Sequence, residues 1–396
     1  MNDLIYLDHA ATTPLDSAVL DAMLPFLREN FGSASTLYSI GRAASEAVEE
    51  ARISVARLIN ASPEEVYFTS GGTESDVWVM FGVPSAKEKK GRHIITSKIE
   101  HKAVLEPCKI LEKRGYTVTY LDVDSNGLVD VDELAASITD ETVLISIMHA
   151  NNEIGTIEPV EEIGRIAQEK GIHFHTDTVQ TVGHIPVDAP SIGCNSLAIS
   201  AHKLYGPKGV GVMYIRKGSR VDPLMPGGGQ ENNRRAGTHN VPGIVGLGKA
   251  AELAGERMPS EAEETTRLRD ALISGIESRI KDIRLNGDRI KRIPNNVNFS
   301  FEGVEGESLI LLMDMNGICV SSGSACTSGS LDPSHVLMAL GLRHEQAHGS
   351  LRMTLGKDNT MPQIEKVLDT LPGIVNKLRE MSPLYSGECC PGGGCK

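Results

Sequence analysis

The sequence lacks the marks of several protein classes. No apolar run approaches the roughly 20 residues that a membrane-crossing helix needs. The opening stretch, Met1-Asn2-Asp3-Leu4-Ile5-Tyr6-Leu7-Asp8, has no basic region ahead of an apolar one and does not read as a secretory signal. Positive charge is in deficit: 39 Lys and Arg stand against 52 Asp and Glu, a net charge of -13. That balance argues against nucleic acid or an anionic membrane as the main partner. No internal repeat is evident. A disulfide framework is also missing, because the cysteines number seven. Cys108, Cys194, Cys319 and Cys326 are scattered, whereas Cys389, Cys390 and Cys395 crowd into the tail. The expectation is a cytoplasmic protein.

What is present is a chain of 396 residues, 40% hydrophobic and 23% charged, long enough for two domains. From about residue 50 to 215, apolar β-rich runs alternate with helical patterns. The runs are 65–69, 93–96, 118–121, 143–148, 172–175 and 196–199. Such alternation implies crossover connections and a largely parallel sheet, with ligands at the carboxyl ends of its strands. Polar residues follow each of five runs: Ser70-Gly71-Gly72-Thr73-Glu74, Glu100-His101, Asn151-Asn152-Glu153, Asp177 with Gln180, and His202-Lys203. Past 215 come a glycine-rich loop, Pro226-Gly227-Gly228-Gly229-Gln230-Glu231, and the stretch Arg235-Ala236-Gly237-Thr238. Two helical segments are expected at 240–258 and 261–281. The domain reading is an N-terminal segment 1–15 packed with the small domain, a large domain 16–259, a smaller α+β domain 260–380 and a Cys/Gly-rich tail 381–396.

Lys203 is the most informative residue. It stands directly behind the apolar run Ser196-Leu197-Ala198-Ile199, and Gly206-Pro207 turns the chain soon after. A lysine at the end of a core strand is costly unless it has chemistry to do, and a desolvated amine forms imines with aldehydes. Ser200 and His202 beside it are phosphate-type neighbours. Together they point to pyridoxal phosphate (PLP). Asp177 then has a specific role, as the carboxylate against the pyridine nitrogen. Gln180, three residues on, could reach the same ring, and His101 could stack on it or move protons; a packed surface histidine is the alternative. Ser70-Gly71-Gly72-Thr73 opens a helix whose free N–H groups suit an anion.

Three further features carry weight. Cys326 lies in a run of small polar residues, Val320-Ser321-Ser322-Gly323-Ser324-Ala325-Cys326-Thr327-Ser328-Gly329, which makes it a nucleophile candidate. Arg352, on an expected strand, offers a planar guanidinium to a substrate carboxylate; a surface ion pair is the alternative. Asp122-Val123-Asp124-Ser125-Asn126-Gly127, with Glu133 downstream, matches a calcium-loop pattern. A strand-like run precedes it where a helix is required, so we read it as a turn. No metal site is expected in the body of the chain.

These residues carry a family likeness. The chain resembles the PLP-dependent cysteine desulfurases of the NifS/IscS type, fold type I and class-V aminotransferase-like. The likeness runs from Tyr6-Leu7-Asp8-His9-Ala10-Ala11-Thr12-Thr13-Pro14 to about residue 380. It is carried by Phe68-Thr69-Ser70-Gly71-Gly72-Thr73-Glu74-Ser75, Asn151-Asn152-Glu153-Ile154-Gly155, Ser200-Ala201-His202-Lys203, Arg235-Ala236-Gly237-Thr238 and Ser321-Ser322-Gly323-Ser324-Ala325-Cys326. The resemblance implies an α/β fold with a mainly parallel, seven-stranded-type sheet and a smaller C-terminal domain. It implies that Lys203 bonds the cofactor, that Asp177 and Gln180 serve its ring, and that His101 stacks on it. Gly72, Thr73, Ser200 and His202 would hold the phosphate, with Thr238 reaching that of a partner subunit in a homodimer. Asn152 would lie against cofactor and substrate, and Arg352 would grip the carboxylate of L-cysteine. Cys326 would take the sulfur as a persulfide and pass it to an iron–sulfur scaffold or another acceptor protein, for cluster assembly or tRNA thiolation. A selenocysteine lyase or an aminotransferase is the same-fold alternative. A non-catalytic sulfur carrier using the tail cysteines is the alternative from another class. The chain departs from the family at Gly32-Ser33-Ala34-Ser35-Thr36-Leu37-Tyr38, where Gly-Asn-Pro-Ser-Ser-x-His is usual near the mouth of the site.

Overall fold

The computed structural model describes residues 4–322, 333–382 and 385. After a short first strand, β1 (Ile5–Tyr6), come helices α1 (Ser17–Arg28) and α2 (Ser39–Leu58). The six expected runs then form strands whose ends differ by one or two residues. They are β2 (Val66–Thr69), β3 (His93–Ser97), β4 (Thr117–Leu121), β5 (Thr142–Ser146), β6 (His173–Asp177) and β7 (Ser196–Ser200). A seventh, β8 (Gly211–Ile215), was not singled out by the alternation. The sheet order is β2-β8-β7-β6-β5-β3-β4. Only β8 runs against the others, pairing antiparallel with both β2 and β7. Helices α3 (Gly72–Lys87), α4 (Lys102–Lys113), α5 (Val131–Ala136), α6 (Val160–Lys170) and α7 (Ala189–Ile192) form the connections. Strands β5, β6 and β7 are buried at every residue, as helical cover on both faces requires.

The two helices expected around residue 259 are one, α8 (Val241–Arg279). Pro259 removes one N–H from its ladder, yet the helix continues. Packing decides the matter. The first half buries Ile244, Leu247 and Ala250 in the core of the large sheet, and the second half buries Leu268, Leu272 and Ile276 in a separate core. That second core is built on β9 (Ile283–Leu285), β10 (Asn296–Phe301) and β12 (Ser350–Thr354), in the antiparallel order β12-β10-β9. Between them lie α9 (Gly306–Asp314), β11 (Ile318–Cys319), α10 (His335–Ala339) and α11 (His344–His348), and α12 (Met361–Met381) follows. Strand β1 pairs in parallel with β11, so the N-terminal segment joins this second unit. Register sets Asn298 opposite Arg352.

The calcium-like stretch is a turn between β4 and α5. The Asp124 carboxylate accepts the backbone N–H groups of Asn126 at 2.8 Å and Leu128 at 2.9 Å. Asp130 caps α5. Among the described residues, no helix is long and apolar enough to cross a membrane.

Candidate active site

The strand ends open onto a cleft of about 790 Å³. Asp177 ends β6, Ser200 ends β7, and Lys203 closes the short helical turn that follows (Ala201–Lys203). Lys203 is only 8% exposed. Its Nζ donates to the carbonyl oxygens of Ala10 and, at 2.8 Å, Ala11. Gln180 Nε2 donates to the same Ala10 oxygen at 3.2 Å. Thr12 Oγ1 lies 3.1 Å from His202 Nδ1, and Thr13 Oγ1 donates to the His202 carbonyl at 2.9 Å. A backbone strap from the N-terminal segment therefore fastens the lysine turn. The sequence offered no side-chain signal for it, because carbonyl groups do most of the work.

The electrostatics of the floor follow from burial. Desolvation pushes the Asp177 carboxyl above its usual range, while the charges of His101 and Lys203 and the backbone N–H of Val179, at 2.9 Å, pull it back. Asp76 is pushed up further, by burial, then by Asp177 and Glu100. Its Oδ1 lies 3.1 Å from His175 Nε2. Two nearby buried carboxyls do not both ionise readily, and Asp177 is the one facing cations. Asp76 went unnoticed in the sequence; its signal is that it follows Gly72 by four residues on one helix face. Burial, then the charges of Lys203 and Lys208, lower His202 to about 4, so its ring is neutral.

The anion-type end is the start of α3. Its N-cap is Gly71, which has no capping side chain. A Cβ on Gly72 would stand 2.5 Å from Val179 Cγ2, so glycine lets the start of α3 pack closely against that side chain. Glu74 accepts from the Ser70 N–H at 2.9 Å and from Arg235 Nε at 2.8 Å. His101 caps α4, its Nδ1 accepting from Ala103 N at 3.2 Å. Arg352 is 2% exposed on β12. It donates to the Asn152 carbonyl at 3.0 Å and to Asp8 Oδ1 at 2.9 Å, and its Nε has no partner among the described residues. Glu153 beside Asn152 accepts from Ser334, and burial raises its carboxyl to about 7.

The cleft thus brings together Gly72, Thr73, Ser200, His202 and Lys203 with His101, Asn152, Asp177, Gln180 and Arg352. Thr238 is exposed and does not line it. Cys326, Cys389, Cys390 and Cys395 lie outside the described residues. No residue of 31–38 lines this chain's cleft; Phe31 and Leu37 are 78% and 89% exposed.

Residues 5–367 match the aminotransferase class-V family. The chain belongs to that family. It is 55% identical over 387 residues to a protein of Clostridium botulinum named cysteine desulfurase IscS, covering 97% of this chain and 98% of that one. A solved NifS-like protein superposes with a TM-score of 0.89 at 40% identity, covering 94% of this chain and all of that one. The structure of a protein named SspA in complex with cysteine matches at 35% identity with a TM-score of 0.80, covering 90% of this chain and all of that one. The α/β fold is that of the NifS-like enzymes, and the chain is a cysteine desulfurase of this class.

Proposed function

We propose that this enzyme converts L-cysteine and the thiol of Cys326 into L-alanine and a Cys326 persulfide, using PLP. The observation that carries the reading is one cleft holding a buried amine, a buried carboxylate and an uncapped glycine-lined helix start. That donor set fits the aldehyde, the pyridine nitrogen and the phosphate of PLP. Lys203 would bond it, Asp177 and Gln180 would meet its ring, and Gly72, Thr73, Ser200 and His202 its phosphate. Bound there, PLP supplies an electron sink for charge developing at the substrate Cα.

The chain's own residues do the rest. Arg352 and Asn152 orient the substrate carboxylate, which fixes where Cα sits. Lys203 Nζ carries the proton to and from Cα, and His101 manages the proton of the substrate thiol. Cys326 accepts the sulfur, and the carbon left behind is protonated to give alanine. We read the enzyme as a cytoplasmic homodimer in which Thr238 serves the phosphate site of the second copy. We further read it as passing sulfur to an iron–sulfur scaffold or another acceptor protein, with a large domain at about 16–259 and a small one at 260–380.

The test incubates the enzyme with L-cysteine and a reductant and measures sulfide and alanine together. Equal yields are expected, and Cys326→Ser should release little alanine. Alanine formed by that variant at the wild-type rate would show that Cys326 is not the sulfur acceptor.

A further inference from the structure

Outside the cleft, one buried carboxylate closes a loop on itself. Glu231 is 5% exposed. Its Oε1 accepts from Arg52 Nη2 at 2.9 Å and lies 2.7 Å from His239 Nε2. Its Oε2 accepts from Arg52 Nη1 and from the Phe68 N–H, both at 2.8 Å. Arg52 belongs to α2, also donates to the Val66 carbonyl at 2.6 Å, and lies 4.7 Å from the Phe68 ring centre. Both ends of segment 231–239 are therefore bolted, through one carboxylate, to α2 and β2. Burial alone would raise this carboxyl; the hydrogen bonds of Arg52 and His239, with the Arg52 charge, instead hold it down at about 2.

The backbone inside the clasp is forced. Glu231, Asn232 and Asn233 have φ of 47°, 54° and 62°, the left-handed region, with no glycine among them. Such conformations persist only where the surroundings over-determine them. Arg235 then reaches back to Glu74 at the start of α3. Asn232, Asn233, Gly237 and Thr238 are left exposed. Buried Nη1 of Arg234 and Nδ1 of His239 have no partner among the described residues.

We propose that Glu231 is a positioning residue whose clasp on Arg52 and His239 holds loop 231–239 in a rigid outward shape and so presents Thr238 to the phosphate site of a second copy. This rests on the homodimer reading of Thr238 given above. Asn232 and Asn233 accept left-handed backbone at less strain than other residues, and the clasp supplies what remains.

The test uses the full chain with PLP as the probe. Glu231→Gln removes the buried counter-charge of Arg52, leaves it only the exposed Glu49 carboxylate at 3.1 Å and threatens folding, so His239→Gln is the second variant: it frees only the far end of the loop. Three quantities are read: amide hydrogen exchange across 231–239, PLP affinity by titration of the apoprotein, and the mass in sedimentation. In His239→Gln the loop amides should exchange about tenfold faster. PLP affinity should fall about tenfold, and it should fall equally in Thr238→Ala, which in the second-copy reading gives up one hydrogen bond to a charged group. Dimer mass should be retained. The double variant His239→Gln/Thr238→Ala should bind PLP no worse than Thr238→Ala alone, because both act through one contact. Unchanged loop exchange overturns the clasp and leaves the second-copy reading standing. Faster exchange with wild-type PLP affinity overturns the presentation role. Wild-type affinity in Thr238→Ala overturns the second-copy reading, and this proposal with it.

Discussion

The carboxyl ends of β6 and β7 and the stretch 31–38 treat their side chains in opposite ways. At the strand ends, ionisable groups are buried, with Asp177 at 6% exposure and Lys203 at 8%, and partners from the same chain meet them. Along 31–38, apolar groups are exposed, with Phe31 at 78%, Leu37 at 89% and Tyr38 at 55%. A buried charge without partners is expensive, so the chain must complete the first region itself. A cluster of exposed apolar residues is the mark of a surface completed by another molecule. The floor of the cleft is finished by folding; in the homodimer reading, the outer stretch is finished by association.

The sharpest break of the first region is Lys203→Ala. It should abolish turnover and remove the visible absorbance that borohydride bleaches from the lysine-bound cofactor. If a borohydride-fixable band survives, the assignment is wrong and Lys208, which also lines the cleft, becomes the candidate. Asp177→Asn is milder. The variant should fold and keep PLP, but kcat should fall roughly 10²–10³-fold, the usual cost of removing a preorganised electrostatic partner. Near-normal turnover would mean that Asp177 serves packing alone.

The same contrast explains what sequence reading reaches. Lys203, Asp177 and His101 were legible because each follows an apolar run, and alternation of such runs with helices dictates a parallel sheet with its chemistry at one edge. The strand β8 was not legible, since an antiparallel insertion breaks no local pattern. The single helix α8 was missed because Pro259 is a local stop signal, overruled here by two cores that hold the halves in line. The strap on Lys203 was invisible for a different reason. It consists of the Ala10 and Ala11 carbonyls, which every residue type possesses. Asp8 and Glu153 stood inside recognised motifs without an assigned role, because their partners Arg352 and Ser334 lie far along the chain.

The second region is broken by charge. In the homodimer reading, Phe31 and Leu37 are covered by the second copy. Leu37→Glu should then weaken self-association about ten- to a hundredfold, a desolvated charge at a contact costing on the order of 1–3 kcal/mol. Sedimentation across a dilution series checks it. A dimer as tight as the wild type's would place 31–38 outside the contact, and the exposed apolar cluster would then need another occupant.

The smallest effect sharpens the first region from just beneath the cleft. Glu100 is 1% exposed; its Oε1 accepts from Ser97 Oγ at 2.8 Å and from the Met148 N–H at 2.9 Å, and its Oε2 has no partner among the described residues. Burial is the main force raising its carboxyl from 4.5 to about 8; the two hydrogen bonds oppose this, and Asp177 and Glu158 add to it. Between those values the folded chain holds a proton that the unfolded chain has released. Stability must therefore fall as pH rises through that window and level off above about 8. Glu100→Gln fixes the neutral form and keeps an oxygen for both donors. The variant should match the wild type near pH 5 and exceed its stability by at least about 1 kcal/mol near pH 8, a modest part of what so large a rise in the carboxyl's pKa is worth. Urea midpoints at the two pH values, at constant slope, measure this. Turnover should not change, because Glu100 does not line the cleft. A stability difference independent of pH would show that Glu100 is already ionised at pH 5.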